Sequence, residues 1–299
     1  MSEARLTALE DRGTIAVRGA DARDFLQGLI SNDVAKTGPN RAIYAALLTP
    51  QGKFLHDFFV VALGDALLLD CEGPRAGDLL RRLRMYKLRA KIDLADASTE
   101  YRIGVAWGDD ALSRLGVPAE AGRAVAIDGG VAYADPRLLA LGGRFILPRD
   151  RFDSAVARFG FARGTTAEYD ALRLSLGVPD GSRDVPVDKA FLLESNFEEL
   201  NGVDFKKGCY VGQELTARTK HRGVVRKRLF RVDIDGPLPA PGTPIMRGDK
   251  EAGTIRSGVG RTAIALIRLE DYQAALESGQ KLTADGVNVT PIKPSWVNF

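Results

Sequence analysis

Cysteine and histidine are scarce in this sequence. The chain has 299 residues, and only Cys71, Cys209, His56 and His221 are of these two types. The cysteines lie far apart and form no CxxC pair, which excludes a zinc site made only from neighbouring thiols. A histidine-rich site or a Ser/His/Asp triad also lacks the residues it needs. Any metal bound here must take ligands from another molecule.

Long apolar runs are absent as well. Although 45% of the residues are hydrophobic, no run of about 18 apolar residues occurs, so we expect a soluble globular chain and no membrane partner. The first residues, Met1 to Leu6, carry an early acidic residue and no apolar core, and they lack the marks of a secretory or mitochondrial leader. The resulting expectation is a cytoplasmic, bacterial protein.

Neither sign of charge is in large excess. Lys and Arg number 42 and Asp and Glu 39, for a net charge of +3. The basic residues are spread along the chain, without an RNA-binding Gly/aromatic motif or a basic helix with interleaved aromatics. We therefore expect no nucleic-acid partner. One basic cluster, Arg222–Arg228, is predicted to support a neighbouring loop or a docking surface.

Glycine and positive charge surround Cys209. Gly208 precedes it, and basic residues flank it on both sides, at Lys206, Lys207, Arg218 and Lys220. Nearby cations favour a thiolate, and the segment from Gly212 onward is predicted to begin a helix with Glu214 in its first turn. The pattern indicates a reactive thiol. The alternative is a small buried cysteine that only packs, which is the role we expect for Cys71 in its apolar strand.

The octapeptide Lys207-Gly-Cys-Tyr-Val-Gly-Gln-Glu214 resembles the signature of the YgfZ family. Its members are folate-binding-type proteins related to the T-protein, the aminomethyltransferase of the glycine cleavage system. The resemblance is closest to the branch that includes the mitochondrial iron–sulfur assembly factors. Supporting matches at Leu192–Gly202, Leu48–Lys53 and Tyr86–Lys91 extend it over most of the chain.

The resemblance implies an α+β fold with a T-protein-like, two-lobed N-terminal region of folate-binding type and a C-terminal β-barrel domain. The first lobe is expected to be discontinuous, from residues 1–36 and 151–225. The second lobe is expected at 37–150 and the barrel at 226–299. Alternating apolar runs between Gly and Pro turns support the barrel independently.

Periodicity predicts several upstream elements directly. Strands at 43–48 and 54–63 are expected to be joined by the turn Thr49–Lys53, and a helix is expected from Pro74 to about Tyr86. Residues 178–207 have little regular pattern and form an unusually long connection to the cysteine, which indicates a functional segment.

Two positions depart from the T-protein pattern. T-proteins carry an acidic pair in the hairpin, part of the folate-side apparatus, where this chain has His56 and Asp57. They also carry a pterin-contacting Glu where this chain has Ser175. These departures favour an assembly factor over a true aminomethyltransferase. Asp57 is either the remaining polar site residue or a solvated strand residue.

The resemblance implies that Cys209 is both the functional residue and a metal ligand. Residues implied to bind a cofactor, tetrahydrofolate with its anionic tail, are Asp57, Tyr86, Arg89, Lys91, Lys207, Tyr210, Gln213, Glu214 and Arg218. For the cations at Arg89 and Lys91, the alternative is a solvated helix end.

The implied function is an accessory role in iron–sulfur cluster assembly or repair. A [2Fe–2S] cluster needs about four ligands, so one thiolate implies a cluster shared with a partner. An iron–sulfur scaffold or A-type carrier, or a monothiol glutaredoxin with glutathione, is the expected partner, and client iron–sulfur enzymes are the recipients. A tetrahydrofolate-dependent aminomethyl- or methyltransferase remains an alternative. A thiol redox enzyme is another, and it would need a resolving cysteine.

Overall fold

The computed structural model describes residues 3–223 and 225–299. Within these ranges no helix is long and apolar enough to cross a membrane. The α-helices are, in chain order, α1 (Ala22–Gln27), α2 (Ala76–Tyr86), α3 (Ala111–Arg114), α4 (Arg149–Phe159), α5 (Thr166–Ser175), α6 (Gly181–Asp184), α7 (Gln213–Arg222) and α8 (Leu269–Ser278).

The strands lie between these helices and form three sheets. They are β1 (Arg5–Ala8), β2 (Arg12–Arg18), β3 (Ile43–Leu48), β4 (Phe54–Leu63), β5 (Ala66–Glu72), β6 (Asp93–Asp96), β7 (Tyr101–Trp107), β8 (Ala124–Ile127), β9 (Gly130–Ala134), β10 (Gly143–Pro148), β11 (Ala162–Arg163), β12 (Lys227–Asp235), β13 (Pro244–Arg247), β14 (Lys250–Val259), β15 (Thr262–Arg268), β16 (Leu282–Ala284) and β17 (Val287–Ile292).

The chain divides into two compact units. Unit 1 consists of Met1–Leu48, Leu55–Tyr169 and Leu200–Val211, and unit 2 of Thr49–Phe54, Asp170–Glu199 and Gly212–Phe299. This division does not test the lobe boundaries implied by the resemblance, and those boundaries stay a prediction.

Unit 1 contains a six-stranded sheet in the order β11-β1-β7-β10-β9-β8 and a five-stranded sheet in the order β3-β4-β5-β2-β6. The consecutive strands β1 and β2 therefore belong to different sheets. Every residue of β3 is buried, and so are the first eight of β4. Strands covered on both faces are rich in apolar residues, and here only His56 and Asp57 interrupt the apolar sequence, which is why the bounds of both strands were predictable.

The turn between β3 and β4 forms as expected. The amide of Thr49 donates to the carbonyl of Lys53 at 2.8 Å, and the amide of Gly52 donates to the carbonyl of Thr49 at 2.8 Å. Gly52 has a φ of +76°, and a Cβ there would lie 2.9 Å from the carbonyl oxygen of Gly212. Only glycine meets both conditions, so this position fixes the turn against the start of α7.

Unit 2 ends in a closed barrel of strand order β12-β15-β14-β13-β16-β17, which confirms the expected C-terminal barrel. Its interior is apolar and includes Phe230, Ile245, Ile255 and Ile267. One element was missed. β15 ends at Arg268 and α8 begins at Leu269, and no helix was predicted in this part of the chain.

The buried carboxylate of Asp271 explains why α8 forms there. It lies in the first turn of α8, where the helix dipole favours an anion, and accepts hydrogen bonds from Arg247 at 2.9 and 3.0 Å. Lys250 lies 3.1 Å from the same carboxylate. The partners come from a distant hairpin, so local periodicity did not reveal the helix.

Candidate functional site

The two cysteines have opposite environments. Cys209 is exposed, whereas Cys71 is buried, with 1% of its surface accessible. The Cys71 thiol donates to the carbonyl of Gly13 at 3.6 Å, and burial raises the pKa of Cys71 to about 12. Among the described residues, Cys209 is therefore the thiol available to another molecule.

Cys209 lies in a segment of unit 1, residues 200–211, that we name the Cys209 loop. Lys207 fastens this loop through its side chain. Its ammonium donates to the carbonyls of Gln27, Ile30 and Asn32 at 2.8, 2.6 and 2.9 Å. Three acceptors match the three N–H donors of an ammonium group. Lys207 therefore positions the loop, and its charge is directed at backbone carbonyls.

The charge of Lys207 is retained near neutral pH. Burial lowers the pKa of Lys207 to about 8, while the carboxylates of Asp33 and Asp204 raise it. The ammonium also lies 4.9 Å from the ring centroid of Tyr210, which is buried beneath it. Lys207 and Tyr210, both expected at the site, are thus brought together as the support of the exposed cysteine.

Backbone contacts fasten both ends of the Cys209 loop. Ser31 donates to the carbonyl of Gly202 at 2.6 Å, and Asn32 donates to the carbonyl of Asn201 at 2.8 Å. At the other end, the amide of Val211 donates to the carbonyl of Gly28 at 3.1 Å. The loop is therefore held on the segment that follows α1.

The outer face of the loop combines an aromatic ring, a cation and the thiol. Phe205 is 38% exposed, and Lys206, Gly208 and Cys209 are exposed as well. A Cβ added at Gly208 would have no atom within 4 Å, so the space beside the backbone is open at this point. Such a surface can meet another protein.

The remaining residues of the motif belong to unit 2. Gln213 is the first residue of α7, and Glu214 lies in its first turn, as expected. Glu214 pairs with Arg218 at 2.6 Å, one helical turn away, and Lys220 pairs with Glu198. These exposed pairs contribute little to stability. The basic cluster at 222–228 includes position 224, which lies outside the described residues.

His56 and Asp57 point to opposite faces of their strand, as successive strand residues do. His56 Nε2 lies 2.9 Å from Asp78 of α2, and burial lowers the pKa of His56 to about 4. Asp57 accepts a hydrogen bond from the hydroxyl of Tyr44 at 2.7 Å. The two side chains cannot act as one acid–base pair.

A buried polar network next to Asp57 was missed by sequence reasoning. Asp70 of β5 is fully buried and binds Arg12 at 2.7 Å and Arg144 at 2.6 Å. The Arg144 guanidinium lies 4.2 Å from the ring centroid of Phe59, two residues after Asp57. Because these residues come from three separate strands, no local pattern signalled the network, which joins the two sheets of unit 1.

The residues expected to bind folate differ in exposure. Asp57 is 4% exposed, Tyr86 is half-buried at the end of α2, and Arg89 and Lys91 are exposed on the following loop. The carboxyl of Asp57 accepts the hydrogen bond of Tyr44, and folate binding by these residues stays a prediction.

Ser175, at the position of the T-protein Glu, is exposed and donates to the carbonyl of Leu172 in its own helix at 2.7 Å. Its hydroxyl therefore binds the end of its own helix, and the loss of a pterin contact at this position stays a prediction.

Within the part of the chain that the structure describes, no three His, Cys, Asp or Glu residues come together in a way that could hold a metal ion. Cys209 is the exposed soft ligand that the described residues offer.

Two sequence families match parts of the chain. The GCVT N-terminal domain matches residues 2–108, and the CAF17 C-terminal beta-barrel domain matches residues 226–299. The second match begins at residue 226, as the expected barrel does.

Curated relatives match almost the whole chain. The mitochondrial iron–sulfur cluster assembly factor IBA57 of Mus musculus is 35% identical, with 96% of this chain and 84% of the relative covered. The Homo sapiens protein of the same name is 35% identical, over 90% of this chain and 78% of the relative. The homolog from Mycosarcoma maydis is 31% identical, over 98% and 84%. The relatives are named as mitochondrial, and this overturns the expectation of a bacterial cytoplasmic protein.

A solved structure has the same fold. The glycine cleavage system aminomethyltransferase T from Bartonella henselae matches with a TM-score of 0.79 and 15% identity, over 99% of this chain and 87% of that one. At this identity the likeness shows the fold alone, and it confirms the expected T-protein-like fold.

Proposed function

Because the chain belongs to the IBA57-type family of iron–sulfur cluster assembly factors, we propose that it handles clusters through the thiolate of Cys209. The observation that carries the proposal is the exposure of Cys209 on a loop that Lys207 fastens with three hydrogen bonds. A thiol at a fixed position can meet an incoming cluster without first ordering its loop, which lowers the entropic cost of the encounter.

The cluster is cargo in this proposal and is shared with a partner. A [2Fe–2S] cluster takes about four ligands, and Cys209 supplies one of them. A monothiol glutaredoxin with glutathione, or an A-type carrier, supplies the others, and client iron–sulfur enzymes receive the cluster afterwards. Binding of iron releases the thiol proton to water and involves no change of oxidation state.

The exposed charge beside the thiol supports this role. Lys206 is exposed three residues before Cys209, and Lys207 lies beneath the loop. A thiolate-ligated cluster is anionic, so nearby cations favour its approach. An anionic cluster accounts for the positive charge at this place without a folate tail.

Anaerobic mixing with a cluster-loaded monothiol glutaredoxin and glutathione tests the proposal. We expect wild type to form a complex with a changed visible spectrum, and Cys209→Ala to leave the spectrum of the donor unchanged. Cys71→Ala, which removes the buried thiol, is the matched control and should behave as wild type at a temperature where it is folded. Identical spectra for wild type and Cys209→Ala would exclude ligation by Cys209.

A tetrahydrofolate-dependent aminomethyl- or methyltransferase is the alternative. Its acid pair is absent, because His56 and Asp57 lie on opposite faces and His56 is bound to Asp78. Tetrahydrofolate binding through Arg89 and Lys91 stays a prediction. Calorimetry of wild type and of an Arg89→Ala, Lys91→Ala double variant with tetrahydrofolate tests it, and equal heats would remove both cations from a folate site.

A further inference from the structure

Leu88 stands at the tip of the loop between α2 and β6, with 89% of its surface exposed. We name residues 87–91 the Leu88 loop. The amide of Ala90 donates to the carbonyl of Lys87 at 2.8 Å, which closes a turn with Leu88 inside it. The amide of Lys91 donates to the carboxylate of Asp21 at 2.7 Å. The leucine is therefore presented by an ordered turn.

The backbone of Leu88 is in an unusual conformation for its side chain. Among the described residues other than glycine, seven have positive φ, and six of them are Asp or Asn: Asp110, Asp128, Asp188, Asn196, Asn201 and Asp285. Leu88, with a φ of +40°, is the exception. Asp and Asn adopt this region more readily than a branched apolar residue. A leucine kept here at a conformational cost, and in water, indicates that its side chain is needed.

A second exposed apolar side chain and several basic residues flank the tip in the sequence. Met85 is 58% exposed at the end of α2, three residues before Leu88. Residues 79–92 include six basic residues and no acidic one, and the exposed ones are Arg81, Arg84, Arg89 and Lys91. Arg81 is paired with Asp78. The segment is thus an exposed apolar knob flanked by basic residues.

The Leu88 loop and the Cys209 loop attach to opposite ends of one short helix. Before α1, Gly19 allows the carbonyl of Lys91 to approach so closely that an added Cβ would lie 2.3 Å from it. At the other end of α1, the carbonyl of Gln27 accepts from the Lys207 ammonium and the carbonyl of Gly28 accepts from the Val211 amide. A helix of six residues is about 9 Å long, so the points at which the two loops attach lie well within the span of one protein interface.

We infer that the Leu88 loop is the docking knob for the carrier protein that shares the cluster with Cys209. The inference rests on the proposed function and adds the chemistry of the partner: an apolar pocket for Leu88 and Met85, surrounded by carboxylates that meet the cations. A membrane is the less suitable occupant. Two apolar side chains at a helix end supply far less apolar area than the long face by which amphipathic helices enter a bilayer.

The substitution Leu88→Asn provides a sharp test, because asparagine suits the positive φ and should leave the turn intact. The probe is a purified, cluster-free A-type carrier, with affinity measured by titration at low and high salt. We expect Leu88→Asn to weaken binding by at least about tenfold without a loss of thermal stability. Wild-type affinity should fall as salt rises. Leu276→Gln, at a leucine that is 61% exposed on α8, is the matched control and should bind as wild type.

Cys209→Ala separates this inference from the proposed function. It should still bind the cluster-free carrier but lose the shared-cluster spectrum. If Leu88→Asn binds as wild type while Cys209→Ala loses the spectrum, the docking knob is wrong and the function stands. If Leu88→Asn binds weakly while Cys209→Ala keeps the spectrum, the function is wrong and the knob stands. Failure of wild type to bind the carrier overturns the inference, as does Leu88-dependent binding to anionic phospholipid vesicles in place of the carrier.

Discussion

The ammonium nitrogen of Lys207 lies 2.6 Å from the carbonyl oxygen of Ile30, in the turn that follows α1. The same ammonium binds the carbonyl of Gln27, the last residue of α1, which the helix end leaves without an internal partner. Lys207 stands two residues before the exposed Cys209. The contacts of its ammonium group therefore help to fix the position of the thiol. The lysine of the motif thus has a mechanical role beside the chemical role of the cysteine.

Replacing Lys207 by methionine should release the Cys209 loop. The change keeps an unbranched chain of similar length but removes every donor, and three buried or half-buried carbonyls lose their partner. We expect a loss of about 2–3 kcal/mol in the free energy of unfolding and faster amide exchange in residues 204–211. Lys206→Met, at the exposed neighbouring lysine, is the control. Equal exchange in the two variants would remove the anchoring role.

The sequence pointed to the Cys209 loop but not to its anchor, for a physical reason. The motif is local, and glycine and charge beside a cysteine can be read directly. The acceptors of Lys207 lie 175 to 180 residues earlier in the chain, and backbone carbonyls carry no residue signature. The same distance hid Arg144, whose partner Asp70 is 74 residues away. The buried strands β3 and β4 were predictable because their sequences are apolar except at His56 and Asp57.

Substitution by serine should have different effects at the two cysteines. Cys209→Ser is expected to keep wild-type stability, because the side chain is exposed, and to lose the function of the protein in a complementation assay. Cys71→Ser places a more polar hydroxyl in a fully buried site, where the carbonyl of Gly13 is the acceptor of the thiol, and should cost about 1–3 kcal/mol. Thermal melts of both variants measure these changes in stability. Full complementation by Cys209→Ser would contradict the proposed role.

Asp70→Asn should be among the most destabilising single changes in unit 1. The carboxylate is fully buried and is bound by the guanidinium groups of Arg12 and Arg144. These contacts lower the pKa of Asp70 in spite of its burial, which raises it. Removing one charge of a buried ion network leaves the others uncompensated, at a cost of about 3–5 kcal/mol.

Urea unfolding measures this effect, with Asp65→Asn as the control. Asp65 is exposed in the turn between β4 and β5, and its substitution should change the free energy of unfolding by less than about 0.5 kcal/mol. A loss of similar size in both variants would show that the Asp70 network does not hold the two sheets together.

The pH dependence of stability should reveal His56. Burial and the charge of Arg75 together lower its pKa in the folded state to about 4, against the opposing effect of Asp78. In the unfolded chain the pKa returns to about 6.5. Between pH 6.5 and 4 the unfolded state therefore binds more protons than the folded state, and stability falls as the pH falls, by up to about 3 kcal/mol. His56→Gln keeps a donor for Asp78 but does not titrate. Urea unfolding at pH 7, 6, 5 and 4.5 should give a flatter profile for this variant, and parallel profiles would show that His56 is not the titrating group.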